Sequence, residues 1–189
     1  MSQNIFIITC GQNGTGKSSF ILQEQLHTFV DTTRITLGVD AIRLKYSKDR
    51  KQYNVHFCDT SGQEIFKSVP KNFYRLAHGV ILFYDITKRE SLEVLEKVWH
   101  EEVMIHSNRK ELIKVVVGNK SDLEDKRQVS REEGQRLATR LSASFFETSA
   151  KSGENVSRAI YDCLEKVVKT AEYQEDIAPK KPKETRSCK

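Results

Sequence analysis

The segment Gly11-Gln12-Asn13-Gly14-Thr15-Gly16-Lys17-Ser18 constrains this chain more than any other feature. It fits the spacing G-x-x-x-x-G-K-[ST], and the apolar, β-branched run 4–10 before it predicts a buried strand. The segment 18–29 after it predicts a helix that turns part of its surface to a core through Phe20, Ile21, Leu22 and Leu26. The alternative is a glycine turn that merely precedes a helix.

A cradle for phosphate forms where a strand, a glycine turn and the first turn of a helix follow one another. Backbone N–H groups and the positive end of the helix attract the anion. In this motif we expect Lys17 to reach the β- and γ-phosphates and the Ser18 hydroxyl to hold Mg²⁺. The sequence therefore predicts binding of a nucleoside triphosphate.

Length and composition indicate one domain with a tail. The 189 residues suffice for a sheet between two helix layers, and we expect a domain over 1–172 followed by a disordered basic tail over 173–189. The net charge of +5 is modest, and its basic residues do not cluster with aromatic ones, so we expect no nucleic acid partner. No apolar run approaches the roughly 20 residues of a membrane span. The four cysteines lack a C-x-x-C pair, which favours a cytoplasmic protein with core thiols.

Strand-like and helix-like segments alternate along the chain, which predicts an α/β fold with a mostly parallel six-stranded sheet and helices on both faces. A polar hairpin turn is expected at 48–51, and Ser130 with Glu133 forms a capping-box pattern. A weak helix is expected after Glu64. The expected strands are 4–10, 41–47, 53–58, 79–84, 113–117 and 144–146, and the other helices are 18–29, 91–105, 131–141 and 155–171.

A second chemically unusual loop follows the strand that ends at Cys58. Ligands bind at the carboxyl ends of such strands, so Asp59 is expected to face the Mg²⁺ region. Gly62 would let its backbone N–H approach a γ-phosphate closely, and the Gln63 carboxamide would orient an attacking water. The alternative is a generic polar turn.

Two more loops favour a guanine base. Asp122 offers two acceptors to the N1–H and exocyclic amine of guanine, a pattern that adenine does not match. The aliphatic stem of Lys120 is expected to lie along the base plane, and Asn119 to tie loops together. After the last strand, the Ala150 backbone N–H would donate to a purine 6-oxo group, although a loop with an N-cap serine is the simpler interpretation.

With these four loops in order, residues 4–171 resemble the small GTPases of the Ras superfamily, and the Rab branch most of all. The segments 38–40, 73–79 and 82–87 are similar to Rab signatures. The resemblance implies the P-loop NTPase fold of small G proteins and a switch that binds GTP and GDP with Mg²⁺. It also implies slow GTP hydrolysis, a role in vesicle traffic, and an exchange factor, a GTPase-activating protein and effectors as partners.

The resemblance also assigns roles to residues of this sequence. Gln63 is the catalytic residue, which positions the attacking water. Magnesium ligands are Ser18, Thr36 and Asp59. Phosphate contacts come from Asn13, Gly14, Thr15, Gly16, Lys17, Ser18, Ser19, Thr36 and Gly62. Guanine contacts come from Phe29, Asn119, Lys120, Asp122, Ser149, Ala150 and Lys151.

Several positions depart from the Rab pattern. Asn13 places a polar side chain near the γ-phosphate, and Ser61 adds a hydroxyl before Gly62. These two residues support an alternative function, an interaction module that binds GTP or GDP and hydrolyses GTP poorly. Ala41 and Cys58 stand where aromatic residues are typical, which suggests divergent effectors. A different P-loop enzyme such as a kinase has no support, because no phosphoacceptor site or lid is visible.

The tail carries a single cysteine, Cys188, where Rabs commonly have two. Lipidation of Cys188 by a geranylgeranyl group is expected, with the basic residues from Lys180 onward as a second membrane signal. This predicts reversible association with the cytosolic face of an intracellular membrane. The alternative is an unmodified tail cysteine.

Overall fold

In the computed structural model, which describes residues 3–29, 39–60, 71–170 and 173, the strands form one sheet in the order β2-β3-β1-β4-β5-β6. Only the pairing of β2 with β3 is antiparallel among the pairs of this sheet. The predicted mostly parallel six-stranded sheet is therefore confirmed. The strands are β1 (Gln3–Cys10), β2 (Val39–Lys48), β3 (Lys51–Thr60), β4 (Gly79–Asp85), β5 (Ile113–Asn119) and β6 (Ser144–Thr148).

The hairpin between β2 and β3 is longer than the sequence predicts. Pairing runs from Val39 opposite Thr60 to Lys48 opposite Lys51. The two turn residues, Asp49 and Arg50, both have positive φ angles of 49° and 61°. Two consecutive left-handed residues match the twist of a tight hairpin, so the strands extend right up to the turn.

Helices cover both faces of the sheet, as expected. A π-helical turn at Leu95–His100 joins α3 to α4, so that one continuous helix crosses the sheet where the sequence predicts 91–105. The predicted capping box at the start of α5 is present, with Ser130 and Glu133 each accepting from the other's backbone N–H. The α-helices are α1 (Lys17–Leu26), α2 (Lys71–Leu76), α3 (Arg89–Val94), α4 (Glu101–His106), α5 (Arg131–Arg140) and α6 (Val156–Val167), and a 3-10 helix covers Ser121–Lys126.

Each sheet face buries its own apolar core. One core joins α1 and α6 to the sheet, and the other joins the α3–α4 helix and α5 to the opposite face. Every residue of β4 is buried, and Ile81 and Phe83 face the first core while Val80 and Leu82 face the second. A strand that is covered on both faces needs a continuous apolar run, and that run allows β4 to be predicted from the sequence.

Two details of the helices correct the prediction. Leu26 was expected to face the core, but it is 54% exposed. At about 100° per residue it is turned more than 100° away from both Phe20 and Ile21, which are fully buried. The last helix is expected to reach Ala171 but ends at Val167. Beyond that point the N–H groups of Lys169 and Thr170 donate to carbonyls three residues earlier, as in a 3-10 turn, instead of four.

Tyr173 belongs with the first core rather than with the tail in which the composition placed it. It is buried, and its ring meets that of His78 at 5.1 Å between centroids and that of Tyr53 at 6.4 Å. The His78 imidazole is itself fixed, because its Nδ1 accepts from the Phe6 backbone N–H at 3.0 Å. The tail beyond Tyr173, including Cys188, lies outside the described residues and stays a prediction.

Cys10 and Cys58 are core residues, as expected, and so is Cys163. Cys10, Cys58 and Cys163 are buried and carry free thiols. Burial raises the pKa of Cys58 to about 11 and that of Cys163 to about 12. These two thiols therefore stay protonated and unreactive at neutral pH. Within the described ranges, no helix has both the length and the apolar character needed to cross a bilayer.

Tyr84 forms the contact between β5 and α5 on the second face. A Cβ added at Gly134 would lie 2.2 Å from its hydroxyl, and one added at Gly118 would lie 2.5 Å from it, so both neighbours must be glycine. The hydroxyl is buried and has no hydrogen-bond partner among the described residues. Burial raises the pKa of Tyr84, which keeps the hydroxyl protonated.

We expect Gly134→Ala to lower the free energy of unfolding by about 1–3 kcal/mol, because the added methyl group overpacks this contact. Tyr84→Phe is expected to raise it by about 1 kcal/mol, since it removes a buried hydroxyl without a partner. Urea unfolding of the two variants and of the double variant measures both effects. Additive effects in the double variant would show that the tyrosine hydroxyl is not what the methyl group meets and would leave the Phe145 ring, 2.6 Å from the added Cβ, as the contact.

Candidate nucleotide-binding site

The predicted phosphate cradle lies between β1 and α1, at the carboxyl edge of the sheet. β1 stands between β3 and β4, where the chain changes direction across the sheet, and open α/β sheets bind ligands at such a point. A Cβ at Gly11 would meet the Phe83 carbonyl oxygen at 2.3 Å, and Gly16 has a φ of +90°. The loop therefore requires glycine both for close packing on β4 and for its own backbone conformation.

Lys17 is held beneath this loop. Its side chain is buried at 4% exposure, and Nζ donates to the carbonyl oxygens of Gly11 at 2.8 Å and Gln12 at 3.4 Å. The Thr15 hydroxyl also donates to the Gln12 carbonyl, at 2.8 Å. The loop thus wraps around a fixed ammonium group, which is the arrangement that a phosphate cradle needs.

Ser18 and Asp59 meet at the other side of the cradle, as the sequence predicts. The Ser18 hydroxyl donates to Asp59 Oδ2, and the Thr9 hydroxyl donates to Asp59 Oδ1 at 3.0 Å. Thr9 and Asp59 are paired in the β1–β3 register, which fixes the position of the carboxylate. Asp59 is only 1% exposed. A hydroxyl and a carboxylate are hard oxygen ligands, so the donor set fits Mg²⁺. The third expected ligand, Thr36, lies outside the described residues.

Asn119 connects the cradle with the two loops predicted to hold the base. Its side-chain Nδ2 donates to the Thr15 carbonyl at 2.8 Å. Its Oδ1 accepts from the Thr148 hydroxyl at 3.1 Å and from the Ala150 backbone N–H at 3.2 Å. Asn119 is 1% exposed, and a Cβ at Gly16 would lie 2.3 Å from its Nδ2. The predicted tie between loops is therefore present, and Ala150 N–H is directed at Asn119.

Asp122 and Ser149 meet at the exposed rim of the site. Asp122 Oδ1 accepts from the Ser149 hydroxyl at 2.6 Å, and Ser149 Oγ accepts from the Ser152 backbone N–H at 3.0 Å. Asp122 Oδ2 accepts no hydrogen bond from the described part of the chain, and the residue is exposed. The carboxylate is therefore oriented on one side and open on the other, as recognition of a guanine edge would need.

The remaining predicted base contacts differ in how firmly they are held. Lys120 Nζ lies 2.6 Å from Asp85 Oδ2. Phe29 is half-buried just after α1, and Lys151 is exposed.

In the cradle, Asn13 and Gly14 are exposed and Ser19 is half-buried on α1. Gly62 and Gln63 lie outside the described residues, as does Ser61.

Sequence reasoning missed three residues that shape the site: Thr9, Asp85 and Thr148. Each is a polar residue near the carboxyl end of a strand, and each is completely buried. A polar residue inside an apolar run indicates a buried hydrogen bond, because buried polar groups need partners. Which partners they find depends on the strand register, and the sequence does not give it.

Comparison with known proteins agrees with this geometry. The model of the Ras family matches residues 6–169. The Ras-related protein RABC2b of Arabidopsis thaliana is 37% identical over 171 residues, which cover 90% of this chain and 82% of that protein. The Ras-related protein Rab-18-B of Danio rerio is 38% identical over 164 residues, covering 87% of this chain and 79% of the relative.

We expect Asn119→Ala to lower the free energy of unfolding by about 1–3 kcal/mol, because it leaves the Ala150 N–H and the Thr15 carbonyl without their partner. Thermal and urea unfolding measure the change. Asn108→Ala, at an exposed loop position, is the matched control and should leave the stability unchanged. Equal unfolding midpoints for the two variants would contradict the connecting role of Asn119.

Proposed function

Because this chain belongs to the Ras family, as a divergent Rab-like small GTPase, we propose that it is a switch that binds GTP and GDP with Mg²⁺ and hydrolyses GTP. One observation carries the proposal: the Asn119 side chain, at the start of the base loop that holds Asp122, contacts both the cradle and the other base loop. That contact supports the proposal because it joins, at one edge of the sheet, the loops to which phosphate and base binding are assigned.

The phosphate side of the proposed site uses charges that are already in place. The Lys17 ammonium would exchange its carbonyl partners in part for β- and γ-phosphate oxygens. Ser18, Asp59 and Thr36 would hold Mg²⁺, which neutralises charge on the phosphate oxygens when it is bound. Backbone N–H groups of the cradle and of Gly62 complete the proposed contacts.

Hydrolysis is assigned to Gln63, which would orient the attacking water. In the proposed switch, Thr36 and Gly62 contact the γ-phosphate, so both segments reorganise when that phosphate leaves. We also propose that an exchange factor, a GTPase-activating protein and effectors read these two states. The slow intrinsic rate expected of such a switch makes the activating partner decisive.

The base side would select guanine through Asp122, with Lys120 and Phe29 covering the ring. The Ala150 N–H, which donates to Asn119 Oδ1 without a ligand, would share or exchange that bond to reach the 6-oxo group. Ser149 and Lys151 complete this proposed subsite. The hydrogen bond from Ser149 to Asp122 supports the assignment, because it fixes one carboxylate oxygen before any ligand binds.

A second candidate is a module that binds GTP or GDP but hydrolyses GTP poorly. Asn13 favours it, because this exposed polar residue lies in the cradle loop beside the proposed γ-phosphate position. In that case the chain would still change partners with its nucleotide state. Hydrolysis rates distinguish the two candidates.

We further propose a role in vesicle traffic at the cytosolic face of an intracellular membrane, with Cys188 lipidated. Support comes from the Rab-related proteins to which the chain is similar and from the basic residues before Cys188. A single lipid chain binds membranes weakly, so the basic residues would supply the second signal.

Replacing Asp122 by Asn is expected to shift the base preference from guanine towards xanthine. The Asn amide donates where Asp accepts, and xanthine has an oxo group where guanine has its exocyclic amine. Mismatched hydrogen bonds of this kind discriminate strongly, because buried polar groups lose their partners. Competition of GTP and XTP against labelled GDP measures the shift. Asp125→Asn, exposed on the same 3-10 helix, is the control. An unchanged preference for GTP would remove Asp122 from base recognition.

For Gln63→Leu we expect GTP hydrolysis to slow while GDP and GTP affinities stay nearly the same, since Gln63 acts on the water and not on the bound nucleotide. Single-turnover rates are measured with and without cell extract, because an activating arginine typically adds ~10³–10⁵-fold. Loss of stimulation supports the switch. If Gln63→Leu changes neither rate while Asn13→Gly raises one, the poorly hydrolysing module is the better description.

A further inference from the structure

β4 ends in a charged residue that the proposed function does not use. Asp85 is completely buried. Its Oδ1 accepts from the Thr87 backbone N–H at 2.9 Å and from the Thr87 hydroxyl at 2.7 Å. Its Oδ2 accepts no hydrogen bond from the described residues and instead lies 2.6 Å from Lys120 Nζ. Since a buried carboxylate is costly without a counter-charge, the lysine ammonium compensates Asp85.

The backbone around both partners is fixed independently of this ion pair. Asp85 is paired with Asn119 in the β4–β5 register, and the Ile86 N–H donates to the Asn119 carbonyl at 3.1 Å. The Ser91 hydroxyl accepts from the Asp85 N–H at 2.9 Å and donates to the Lys88 carbonyl at 2.6 Å. The β4–β5 pairing therefore sets the distance between the Asp85 carboxylate and the start of the Lys120 side chain, while the Ser91 bonds stabilise the turn that follows β4.

Lys120 is held at both ends of its side chain. Its backbone has a φ of 71°, a conformation that is uncommon for residues other than glycine. Its ammonium group is anchored on Asp85, on the neighbouring strand. A lysine side chain normally loses considerable rotamer freedom when it is ordered. Here the ion pair orders the lysine side chain before a ligand arrives. A ligand that packs on its methylene groups therefore does not bear the entropic cost of ordering it.

We propose that Asp85 is a positioning residue that holds Lys120 extended, so that the lysine methylene groups form a preformed shelf for the purine ring. This inference rests on the proposed function, because it takes Lys120 as the residue beneath the base. Asp85 itself would not touch the nucleotide. Its whole contribution to nucleotide retention passes through Lys120, which makes the proposal testable as a coupling between two side chains.

The test measures the dissociation rate of fluorescent GDP from the full chain in Mg²⁺. Asp85→Asn retains an oxygen for Thr87 but removes the charge that anchors Lys120. We expect dissociation about tenfold faster, which corresponds to about 1.4 kcal/mol. Lys120→Met, which retains an apolar stem without the ammonium group, should speed dissociation at least as much. In the double variant the rate should equal that of Lys120→Met alone.

Ser91→Ala is the structural control. It removes the hydrogen bond to the Asp85 backbone without touching the ion pair, so it should lower the unfolding midpoint and leave the dissociation rate unchanged. If Asp85→Asn does not fold, Asp85→Leu combined with Lys120→Met replaces both charges with apolar groups and is compared with Lys120→Met alone. Equal rates support the proposal.

Three results would overturn it. One is a wild-type rate in Asp85→Asn, and another is additive acceleration in the double variant. The third is that Ser91→Ala speeds dissociation as much as Asp85→Asn, which would indicate general loosening of the loop. A wild-type chain that binds no GDP would instead refute the proposed function itself, and this inference with it.

Discussion

One buried amide, that of Asn119, determines whether the carboxyl edge of the sheet is a single site or three separate loops. It donates to the loop after β1 and accepts from the loop after β6, while it stands at the end of β5 itself. An asparagine is suited to this position because one side chain both donates and accepts in the same plane. Its replacement by aspartate would put two acceptors where the Thr15 carbonyl needs a donor.

The parallel pairing of β1 with β3 and β4 sets the rest of the geometry. It brings the ends of three strands side by side, and on either side of β1 stands a buried carboxylate, Asp59 or Asp85. The two carboxylates have different partners: hydroxyls of Thr9 and Ser18 contact Asp59, whereas an ammonium group contacts Asp85. The hydroxyl partners of Asp59 are neutral, so a cation can still bind it. The charge of Asp85 is already compensated by Lys120.

Local chemistry explains which features could be predicted from the sequence. The cradle spacing, the apolar run of β4 and the capping box of Ser130 and Glu133 each depend on residues close together in the chain. The positions of Asp59, Asn119 and Asp122 followed from the rule that ligands bind where parallel strands end. The role of Asp85 did not follow, because it depends on which residue of β5 lies beside it. The burial of Tyr173 was missed for the same reason, since its partners His78 and Tyr53 are distant in sequence.

The anchoring of Tyr173 has a consequence for how far the molecule reaches. His78 and Tyr53 stand at the amino ends of β4 and β3, so the chain leaves the domain at the edge opposite the cradle. Cys188 lies fifteen positions after Tyr173, so the tether between them has a contour length of about 50 Å. The seven residues of β4 add about 20 Å between that exit and the cradle. If Cys188 carries the proposed lipid, the tether starts at the edge of the sheet opposite the cradle, so the cradle lies within about 70 Å of the bilayer.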